Sequence, residues 1–306
     1  MEGQRAVDTT SSFARALAAT LGGGWAVQRL QASGFCATWR VRSSAQTLFV
    51  KSLPLAQGET LRAEADGLAA IGSVGAIRVP AVAGCWRDVD LGAAVLALEW
   101  LELVEPDRDF GARFGRALAE LHRAQPPEGG GRFGWRRDNR IGATPQRNRW
   151  SKGTTLADWI EFFRVERLEV MRDRLARTEP ALAEAVAAVA AVLPEFFADR
   201  HTPRASLIHG DLWSGNWGML SDGTPVIYDP AVSCSDAEAE LAMMELFGQP
   251  PAGFWTAYDG VVARHDGYRR RRGLYQLYHL LNHAVLFGGG YVRQAQDLAR
   301  NLCAEA

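Results

Sequence analysis

The stretch Leu207-Ile-His-Gly-Asp-Leu-Trp-Ser-Gly-Asn216 is the most informative part of this 306-residue chain. Its apolar start leads His209 and Asp211 into a polar segment, and Asn216 follows five residues after Asp211. Thirteen residues beyond Asn216, a second apolar run, Pro225-Val-Ile-Tyr228, ends at Asp229. These residue types at these offsets predict a loop that places a carboxylate beside an acceptor hydroxyl and ligates Mg²⁺ on nucleotide phosphates. The alternative is a polar turn in which Asp and Asn only cap the backbone, and four matching positions argue against it.

The composition is that of an ordinary globular protein. Hydrophobic residues make up 47% and charged residues 23% of the chain, which excludes a disordered, collagen-like or coiled-coil protein. The formal net charge is -1, so the basic excess of a nucleic-acid-binding protein is missing, and the arginine run 269–272 is interpreted as a solvated first turn of a helix. Four cysteines without close spacing favour a reducing compartment. Because no segment has the pattern of a signal peptide or a bilayer-spanning helix, we expect a cytoplasmic protein that binds neither nucleic acid nor membrane.

The periodicity of apolar residues divides the chain into two parts. Strand-like runs at 25–30, 37–42, 47–51, 81–87 and 93–101 surround one helical stretch at 58–71. Further on, helices are expected at 110–122, 154–176, 179–198, 236–247, 251–265, 270–287 and 290–304, with a long loop at 126–150. This order predicts an α+β fold with two lobes. Residues 1–101 form a small antiparallel-sheet lobe that ends in a hinge strand, and residues 102–306 form a larger, mainly helical lobe.

A lysine on a strand of the small lobe and a glutamate on the next helix complete the pattern. Lys51 and Lys152 are the only lysines among 34 basic residues. A lysine retained at this place is informative, because a planar guanidinium is a poor substitute for a compact ammonium on phosphates. Glu64 lies in the helical stretch and can face Lys51, although a solvated Lys and an exposed Glu are the alternative. Ser33 and Gly34, between the first two strands, occupy the place of a phosphate-covering loop.

These residues resemble the fructosamine kinases (ketosamine-3-kinases), a branch of the aminoglycoside-phosphotransferase-like kinases with a protein-kinase-like fold. The similarity extends from about Trp25 to Leu302. The string from His209 to Asn216, with Thr144-Pro-Gln-x-Asn148 upstream, is specific to this branch. Further matching segments are Phe49-Val-Lys51, Glu64-Ala-Asp-Gly-Leu-Ala-Ala70, Leu121-His-Arg123, Phe133-Gly-Trp135, Glu240-Leu-Ala242 and Tyr275-Gln-Leu-Tyr-His-Leu-Leu-Asn-His283.

The resemblance implies ATP-dependent phosphorylation of the C3 hydroxyl of a ketoamine, a sugar rearranged onto an amine, which is either a small molecule or protein-bound. It assigns the catalytic base to Asp211 and the Mg²⁺ ligands to Asn216 and Asp229. Lys51, paired with Glu64, would contact the ATP phosphates. The remaining assignments are the adenine hinge at Glu99, Trp100 and Leu101, the phosphate loop at Ser33 and Gly34, substrate binding by His283, and structural support of the catalytic loop by His209 and Glu240.

Three further side chains have two interpretations each. Trp213, in the catalytic loop, and Trp135, in the long loop, are predicted to line the acceptor site, because an indole face packs against a sugar or, through cation–π attraction, an amine. Either tryptophan could instead anchor its loop to the core. Cys36 lies two residues after Gly34, so it is either a redox-sensitive thiol of the phosphate loop or a small buried apolar residue.

The chain departs from the family pattern at one place. After Asp229-Pro-Ala231 the family usually has Tyr-Gly-His before its glutamate, whereas this chain has Cys234-Ser-Asp236 before Glu238. The candidate metal ligand Asp229 is unchanged by this departure. Substrate preference would change if the turn shapes the acceptor pocket or packs against the catalytic loop.

Other functions were weighed against a ketoamine kinase. A related kinase of an aminoglycoside, choline or a sugar would share the same catalytic residues. A nucleotide-binding module without turnover is disfavoured because every catalytic position holds a competent residue. A metallohydrolase using His209, Asp211 and Asp229 would need further ligands, and His279 and His283, four residues apart on an apolar helix, are better explained as core or pocket-lining residues. For the oligomeric state, a monomer is expected.

Overall fold

The structure, a computed structural model, describes residues 2–30 and 35–306. Its N-terminal part is an antiparallel sheet with the strand order β1-β2-β3-β5-β4. The strands are β1 (Ala26–Arg29), β2 (Ala37–Arg42), β3 (Thr47–Pro54), β4 (Val82–Asp88) and β5 (Ala93–Glu99). Helix α1 (Glu2–Leu21) precedes the sheet, and helix α2 (Gly58–Val74) connects β3 to β4.

Both faces of this sheet are covered. Val95 and Ala97 of β5 lie in a buried cluster with Phe13 and Leu17 of α1. Leu96, between them, belongs instead to the main core, which also contains the buried face of α2. Because successive side chains of a strand point to opposite faces of the sheet, a strand covered on both sides is apolar at consecutive positions, as β5 is from Ala93 to Leu98.

The C-terminal part is mainly helical. Its helices are α3 (Phe110–Arg123), α4 (Leu156–Phe163), α5 (Val170–Leu175), α6 (Pro180–Ala191), α7 (Ala237–Met244), α8 (Phe254–Asp259), α9 (Tyr268–Phe287) and α10 (Gly290–Glu305). Its strands are β6 (Leu103–Val104), β7 (Asn139–Ile141), β8 (Thr144–Gln146), β9 (Ala205–Ile208), β10 (Trp217–Leu220), β11 (Pro225–Ile227) and β12 (Ser233–Asp236). Within the described residues these strands form three small antiparallel sheets, β11-β10-β6, β12-β9 and β7-β8.

Two connections hold the two parts against each other. Strand β5 ends at Glu99, and after three residues β6 begins at Leu103 and pairs with β10 of the C-terminal part. The backbone amide of Ile227, at the end of β11, donates to the carbonyl oxygen of Arg78 at 3.0 Å. The loop that follows β11 is therefore held directly beside the small lobe.

The predicted α+β architecture, a small antiparallel sheet followed by a mainly helical part, is confirmed. The helices predicted at 110–122, 270–287 and 290–304 are present as α3, α9 and α10. The helix predicted at 154–176 is present as α4 and α5, which are joined by a π-helical turn at Arg164–Glu169. Among the described helices, none combines the length and the apolar character that crossing a membrane requires.

Some local predictions were wrong. Helix α1 was not predicted, and residues 251–265 contain only the six-residue helix α8. The helix predicted at 236–247 is present as α7, and Asp236, the last residue of β12, caps its first turn. The 126–150 segment, predicted to be a loop, contains the β7–β8 hairpin. A hydrogen bond from Gln146 Nε2 to Asn139 Oδ1 at 2.8 Å joins its two strands. Each strand has only three residues, which is too short to show the apolar alternation by which strands are recognised in a sequence.

Candidate active site

A cleft of about 820 Å³ between the two lobes brings together seven of the predicted site residues. Lys51 and Glu64 line it from the small lobe. The larger lobe contributes the remaining predicted residues that the structure places here, namely Asp211, Trp213, Asn216, Asp229 and His283. Ser33 and Gly34 lie outside the described residues. The cleft is the candidate active site.

The catalytic loop begins where β9 ends, and His209 holds its first turn. His209 is fully buried. Its Nε2 donates to the carbonyl oxygen of Tyr228 at 2.8 Å, and its Nδ1 accepts from the backbone amide of Asp211 at 3.3 Å. Burial lowers the pKa of His209, so the ring is neutral with its proton on Nε2. This geometry supports an orienting role for His209, because both ring nitrogens are engaged within the protein.

Glu240 of α7 holds the backbone at the start of the catalytic loop. Its carboxylate accepts hydrogen bonds from the backbone amides of His209 at 3.1 Å and Gly210 at 2.7 Å, and from His122 Nε2 at 2.9 Å. Burial acts to raise the pKa of Glu240, but the hydrogen bonds that its carboxylate accepts from His122 and from the Gly210 amide act against burial, and the pKa is lowered. The Tyr258 hydroxyl lies 2.8 Å from His122 Nδ1 and donates to it.

His122 and Tyr258 are the supporting residues that the sequence analysis missed. His122 belongs to the matching segment Leu121-His-Arg123, which was a signal for it, whereas Tyr258 lies in no recognised motif. Their contribution depends on the packing of α3 and α8 next to α7, which no local pattern reveals.

Asp211 is the carboxylate at the centre of the cleft. Its side chain accepts no hydrogen bond from any residue that the structure describes. Its backbone carbonyl accepts from Asn216 Nδ2 at 2.7 Å, which fixes the loop around it. Burial, followed by the negative charges of Asp229 and Glu240, raises the pKa of Asp211 from 3.8 to about 7. A carboxylate with a pKa near neutrality is suited to act as a general base.

Lys51 lies between two carboxylates. Its Nζ is 2.7 Å from Glu64 Oε1 and 2.6 Å from Asp229 Oδ1, and the residue is only 5% exposed. Burial alone would lower the pKa of Lys51, but the charges and hydrogen bonds of the two carboxylates raise it. The side chain is therefore an ammonium held at the wall of the cleft.

The segment after β11 brings Asp229 to this ammonium. Asp229 has a left-handed backbone with φ of 62°, a conformation that Asp adopts more readily than most residues. Helix α2 lies directly on the following residues, because a Cβ atom at Gly67 would be 3.1 Å from Val232 Cγ1 and 3.2 Å from Pro230 Cγ. The glycine at position 67 thus allows the helix that carries Glu64 to approach the loop of Asp229.

The residues present fit a magnesium ion. Asn216 uses its Nδ2 within the protein, while its Oδ1 accepts no hydrogen bond from the residues that the structure describes. The side chain of Asp229 is 46% exposed and borders the cleft. The backbone amide of Tyr228 donates to the carbonyl oxygen of Asn216 at 3.1 Å, which ties the two segments together. One amide oxygen and one carboxylate, completed by phosphate oxygens and water, are a donor set typical of Mg²⁺.

A second group of potential metal ligands lies outside the cleft. Within the described residues, His201, Asp236 and Glu238 are the one group of three histidine, cysteine or carboxylate ligands whose donor atoms lie within 4.8 Å of one another. Glu238 is already held by Arg271, with Oε2 2.7 Å from Nε, and Asp236 Oδ2 accepts from the Tyr275 hydroxyl at 2.6 Å. The cluster is a buried ion-pair network, and it gives no support to a metallohydrolase at the cleft.

The same network explains the departure from the family pattern. Cys234, Ser235 and Asp236 are buried in β12, which pairs with β9, the strand that leads into His209. None of the three lines the cleft among the residues described. Of the two alternatives for this turn, the structure therefore supports packing against the base of the catalytic loop.

Trp135 was predicted to line the acceptor site, and this prediction was wrong. Its side chain is 2% exposed and does not border the cleft in the described structure. Its Nε1 donates to Asp66 Oδ2 of α2 at 3.3 Å, and Arg136 Nε donates to the same oxygen at 2.8 Å. Trp135 and Arg136 thus anchor α2, which carries Glu64, to the larger lobe.

Trp213 and His283 do border the cleft. Trp213 is 41% exposed, which leaves its indole face accessible to a ligand. His283 donates from Nδ1 to the carbonyl oxygen of His279, one turn earlier on α9, at 2.8 Å. His279 is buried, and burial lowers its pKa to about 3, so it is a neutral core residue. The assignment of Trp213 and His283 to the acceptor remains a prediction.

The predicted hinge lies at the end of β5. Glu99 Oε1 accepts from Arg78 Nη2 at 2.6 Å, and Glu99 Oε2 accepts from the backbone amide of Ala81 at 3.0 Å. Trp100 Nε1 donates to Glu102 at 2.7 Å. These side chains are engaged with the protein, so a contact of Glu99, Trp100 or Leu101 with adenine would use the backbone, and it remains a prediction.

Cys36 borders the cleft and is partly buried. Burial raises the pKa of its thiol, and this effect outweighs the opposing charge of Lys51. A raised pKa disfavours the thiolate, which is the reactive form. The direction of this pKa shift is unfavourable for a redox switch at Cys36, and the choice between the two interpretations remains a prediction.

Comparison with known proteins agrees with this site. A sequence model of the family described as fructosamine kinase matches residues 11–305. The chain belongs to this family. A Synechocystis protein named "Probable ketoamine kinase" is 42% identical over 255 residues, which are 83% of this chain and 82% of that protein. The chloroplastic protein-ribulosamine 3-kinase of Arabidopsis thaliana is 35% identical over 263 residues, 84% of this chain and 76% of that protein.

Solved structures of the family and of more distant kinases share its fold. A crystal structure from Thermobifida fusca, described as a fructosamine-3-kinase, is 33% identical and covers 96% of this chain and 99% of its own, with a TM-score of 0.81. A choline kinase from Streptococcus pneumoniae is 14% identical, covers 97% and 99%, and has a TM-score of 0.62. The second likeness concerns the fold alone, and it confirms the predicted protein-kinase-like architecture.

Proposed function

We propose that this member of the fructosamine kinase family transfers the γ-phosphoryl group of ATP to the C3 hydroxyl of a ketoamine, small or protein-bound. The observation that carries the proposal is the Asp211 carboxylate. It is free of hydrogen bonds from the described residues and borders the same cleft as the Lys51–Glu64–Asp229 cluster. The relatives named ketoamine kinase and protein-ribulosamine 3-kinase support the class of acceptor.

Asp211 performs the proton transfer. The acceptor hydroxyl donates its hydrogen bond to the carboxylate, and the proton moves to Asp211 as the hydroxyl oxygen bonds to the γ-phosphorus and the bond to the ADP oxygen breaks. A pKa of about 7 leaves part of the enzyme with an ionised Asp211 at neutral pH. Glu240 and His209 fix the backbone of the loop that carries this carboxylate, and a base held in place lowers the entropic cost of meeting the hydroxyl.

Lys51 and two oxygen ligands receive the nucleotide phosphates. The Lys51 ammonium is held by Glu64 and provides a compact positive charge for phosphate oxygens. Asn216 and Asp229 would hold Mg²⁺, which when bound neutralises charge on the phosphates. Ser33, Gly34 and the backbone of residues 99–101 are proposed as further ATP contacts. A cytoplasmic location and a monomeric state complete the proposal.

The test is a measurement of ADP release with purified enzyme, Mg²⁺ and ATP. The acceptors are lysine-derived ketoamines of fructose and ribulose, with choline and kanamycin as competing classes. We expect turnover with a ketoamine and, in the product, phosphorus coupled to the hydrogen on C3 in the NMR spectrum. Turnover with choline or kanamycin alone would assign the enzyme to another class of small-molecule kinase.

Two controls connect turnover to the site. Asp211→Ala should abolish ADP release while the enzyme still binds ATP, because the phosphates are held elsewhere. Asp229→Ala should weaken binding of Mg²⁺-ATP, and removal of Mg²⁺ with a chelator should stop the wild-type enzyme. Turnover that survives both Asp211→Ala and chelation would contradict the proposed mechanism.

A further inference from the structure

The segment that follows Asp229 is held by side-chain amides of the β7–β8 hairpin. Gln146 Nε2 donates to the carbonyl oxygen of Ala231 at 3.1 Å, and Asn139 Nδ2 donates to the carbonyl oxygen of Val232 at 2.8 Å. Both amides are buried, with Gln146 3% and Asn139 7% exposed. Two consecutive peptide groups just beyond the candidate Mg²⁺ ligand are thus bound by residues 85 and 93 positions earlier in the chain.

The Gln146 amide is fixed in one orientation. Its Oε1 accepts from the Tyr278 hydroxyl at 2.8 Å, and its Nε2 also donates to Asn139 Oδ1 at 2.8 Å. A backbone carbonyl oxygen can only accept, so a rotated amide would turn Oε1 towards the Ala231 oxygen, where neither atom can donate. Burial raises the pKa of Tyr278 to about 12, so the hydroxyl keeps the proton that it donates.

The peptide that Gln146 binds also contacts the catalytic loop. The backbone amide of Ala231 donates to the carbonyl oxygen of His209 at 2.8 Å. Gly210 has a left-handed φ of 83°, and a Cβ atom at this position would collide with the Ala231 carbonyl oxygen. The catalytic loop and the segment after Asp229 therefore touch through their backbones at Ala231, and a shift of this peptide would disturb both.

Little freedom remains between Ala231 and Asp229. Asp229 has a left-handed φ of 62°, a conformation that a residue with a side chain keeps only where its surroundings hold it. Pro230 follows directly, and its ring restricts φ to about −65°. Because of these restrictions, the hydrogen bond to Ala231 helps to set the direction of the Asp229 carboxylate, whose Oδ1 lies 2.6 Å from Lys51 Nζ.

We propose that Gln146, oriented by Tyr278, is a positioning residue that holds Asp229 in place as a Mg²⁺ ligand. Neither Gln146 nor Tyr278 borders the cleft in the described structure, so both act through the backbone of Ala231. This inference rests on the proposed function, which makes Asp229 a ligand of Mg²⁺. It goes beyond that function by giving the segment Thr144-Pro-Gln-x-Asn148 a role in metal binding.

The first measurement is the increase in ATP affinity that Mg²⁺ causes. Calorimetric titration of ATP with Mg²⁺ and with a chelator, in the absence of an acceptor, gives this increase. Gln146→Leu keeps a similar volume and removes the donor to Ala231. The increase should be about 10-fold smaller in this variant than in the wild type, which is the size of effect expected from a lost buried hydrogen bond. Affinity for ATP in the chelator should stay within about twofold of the wild-type value, because the changed side chain lies outside the cleft.

Two further variants separate orientation of the amide from packing. Tyr278→Phe removes only the hydroxyl that orients Gln146, so the increase should become smaller by about threefold. Gln276→Leu is the matched control, because Gln276 Nε2 donates to the carbonyl oxygen of Ala242 at 3.1 Å and does not border the cleft in the described structure. It loses the same kind of hydrogen bond and should retain the full increase. Should Gln146→Leu fail to fold, Tyr278→Phe decides the proposal.

Turnover provides the second measurement. Gln146→Leu should raise the Mg²⁺ concentration that gives half of the maximal rate by about 10-fold, and it should leave the KM for the ketoamine nearly unchanged. A residue that only supports the fold would lower the melting temperature without this selective dependence on Mg²⁺.

An increase equal to that of the wild type in both Gln146→Leu and Tyr278→Phe would overturn the proposal. An equal loss of ATP affinity with and without Mg²⁺ would also overturn it, because that result indicates general damage to the nucleotide site. Neither result affects the proposed function, since turnover of ketoamines by the wild type is measured separately. If the wild type phosphorylates no ketoamine while Gln146→Leu still loses the effect of Mg²⁺ on ATP binding, the proposed function fails and the positioning role stands.

Discussion

Lys51 Nζ lies 2.6 Å from Asp229 Oδ1, although 178 residues separate the two in the chain. This contact connects the small-lobe sheet to the loop after β11, and Glu64 at 2.7 Å adds α2 to the same ammonium. A buried ammonium requires such partners, because leaving it unpaired in a low-dielectric site is strongly unfavourable. One side chain thus holds three separate elements of the candidate active site in register.

The first prediction concerns this ammonium. Lys51→Arg should lower kcat/KM for ATP by about 100-fold or more, equivalent to roughly 2.7 kcal/mol of barrier. A longer, planar guanidinium does not fit a buried site built around a point charge. Steady-state kinetics measure the effect, and Lys152→Arg, at the exposed second lysine, is the matched control. Activity of Lys51→Arg close to that of Lys152→Arg would contradict the role of Lys51.

The second prediction is that removing the charge of Asp211 stabilises the protein at high pH while it abolishes turnover. The pKa of Asp211 is about 7 in the folded chain against 3.8 ordinarily, so the folded state binds this proton more tightly. Stability is therefore lost as the pH rises from about 4 to about 7. Asp211→Asn avoids that loss and should be about 1–3 kcal/mol more stable at pH 8, with the difference shrinking towards pH 4.

Denaturant unfolding at pH 4.5, 6 and 8 measures this difference. Asp222→Asn is the control, because Asp222 is exposed and its pKa is lowered by hydrogen bonds with Thr224. Wild-type and Asp211→Asn curves that coincide at pH 8 would mean that Asp211 is not held in a destabilising environment.

The third prediction separates two tryptophans. Trp213→Leu should raise the KM for the ketoamine more than the KM for ATP and leave the melting temperature nearly unchanged, because the side chain is 41% exposed at the cleft. Trp135→Leu should instead lower stability by about 2–4 kcal/mol through loss of core packing and shift both KM values together. If Trp135→Leu raised the KM for the ketoamine without raising the KM for ATP, Trp135 would have the acceptor role that the structure contradicts.

The fourth prediction concerns the support of the catalytic loop. Glu240→Gln should lower stability by about 1–3 kcal/mol, because its amide group turns a donor towards the donors of His209, Gly210 or His122. It should also lower kcat more than either KM, since the loop that carries Asp211 loses its anchor. Unfolding curves and steady-state kinetics measure both effects. Glu305→Gln, at the exposed end of α10, should behave as wild type.

The candidate active-site residues of the loop after β9 were predictable from their short spacing in the sequence. His209, Asp211 and Asn216 lie within one loop, and the apolar runs on either side indicated the strands that hold it. Lys51 was predictable because lysine is rare in the chain and this lysine follows an apolar run of the small lobe. Such features are local, because the spacing of a few residues along a strand and loop largely determines where their side chains emerge.

Other features depend on how distant elements pack. Trp135 and Trp213 both lie in polar segments of the sequence, so the sequence does not distinguish their roles. Trp135 is a buried anchor because its indole N–H donates to Asp66 of α2, whereas Trp213 borders the cleft. The contact between Glu240 and His122 joins residues 118 positions apart. Asn282 of α9 donates from Nδ2 to the carbonyl oxygen of Ile141 in the β7–β8 hairpin, 141 positions earlier in the chain.

The amino-acid sequence was therefore sufficient for the lobed α+β architecture and for the candidate residues that the structure brings together at the cleft, because periodicity and loop spacing act over a few residues. The tertiary structure was needed to decide which of the two tryptophans borders the cleft and what holds the catalytic loop. Each of these depends on a side chain being buried against an element far away in the chain, and burial determines both hydrogen-bond partners and charge state.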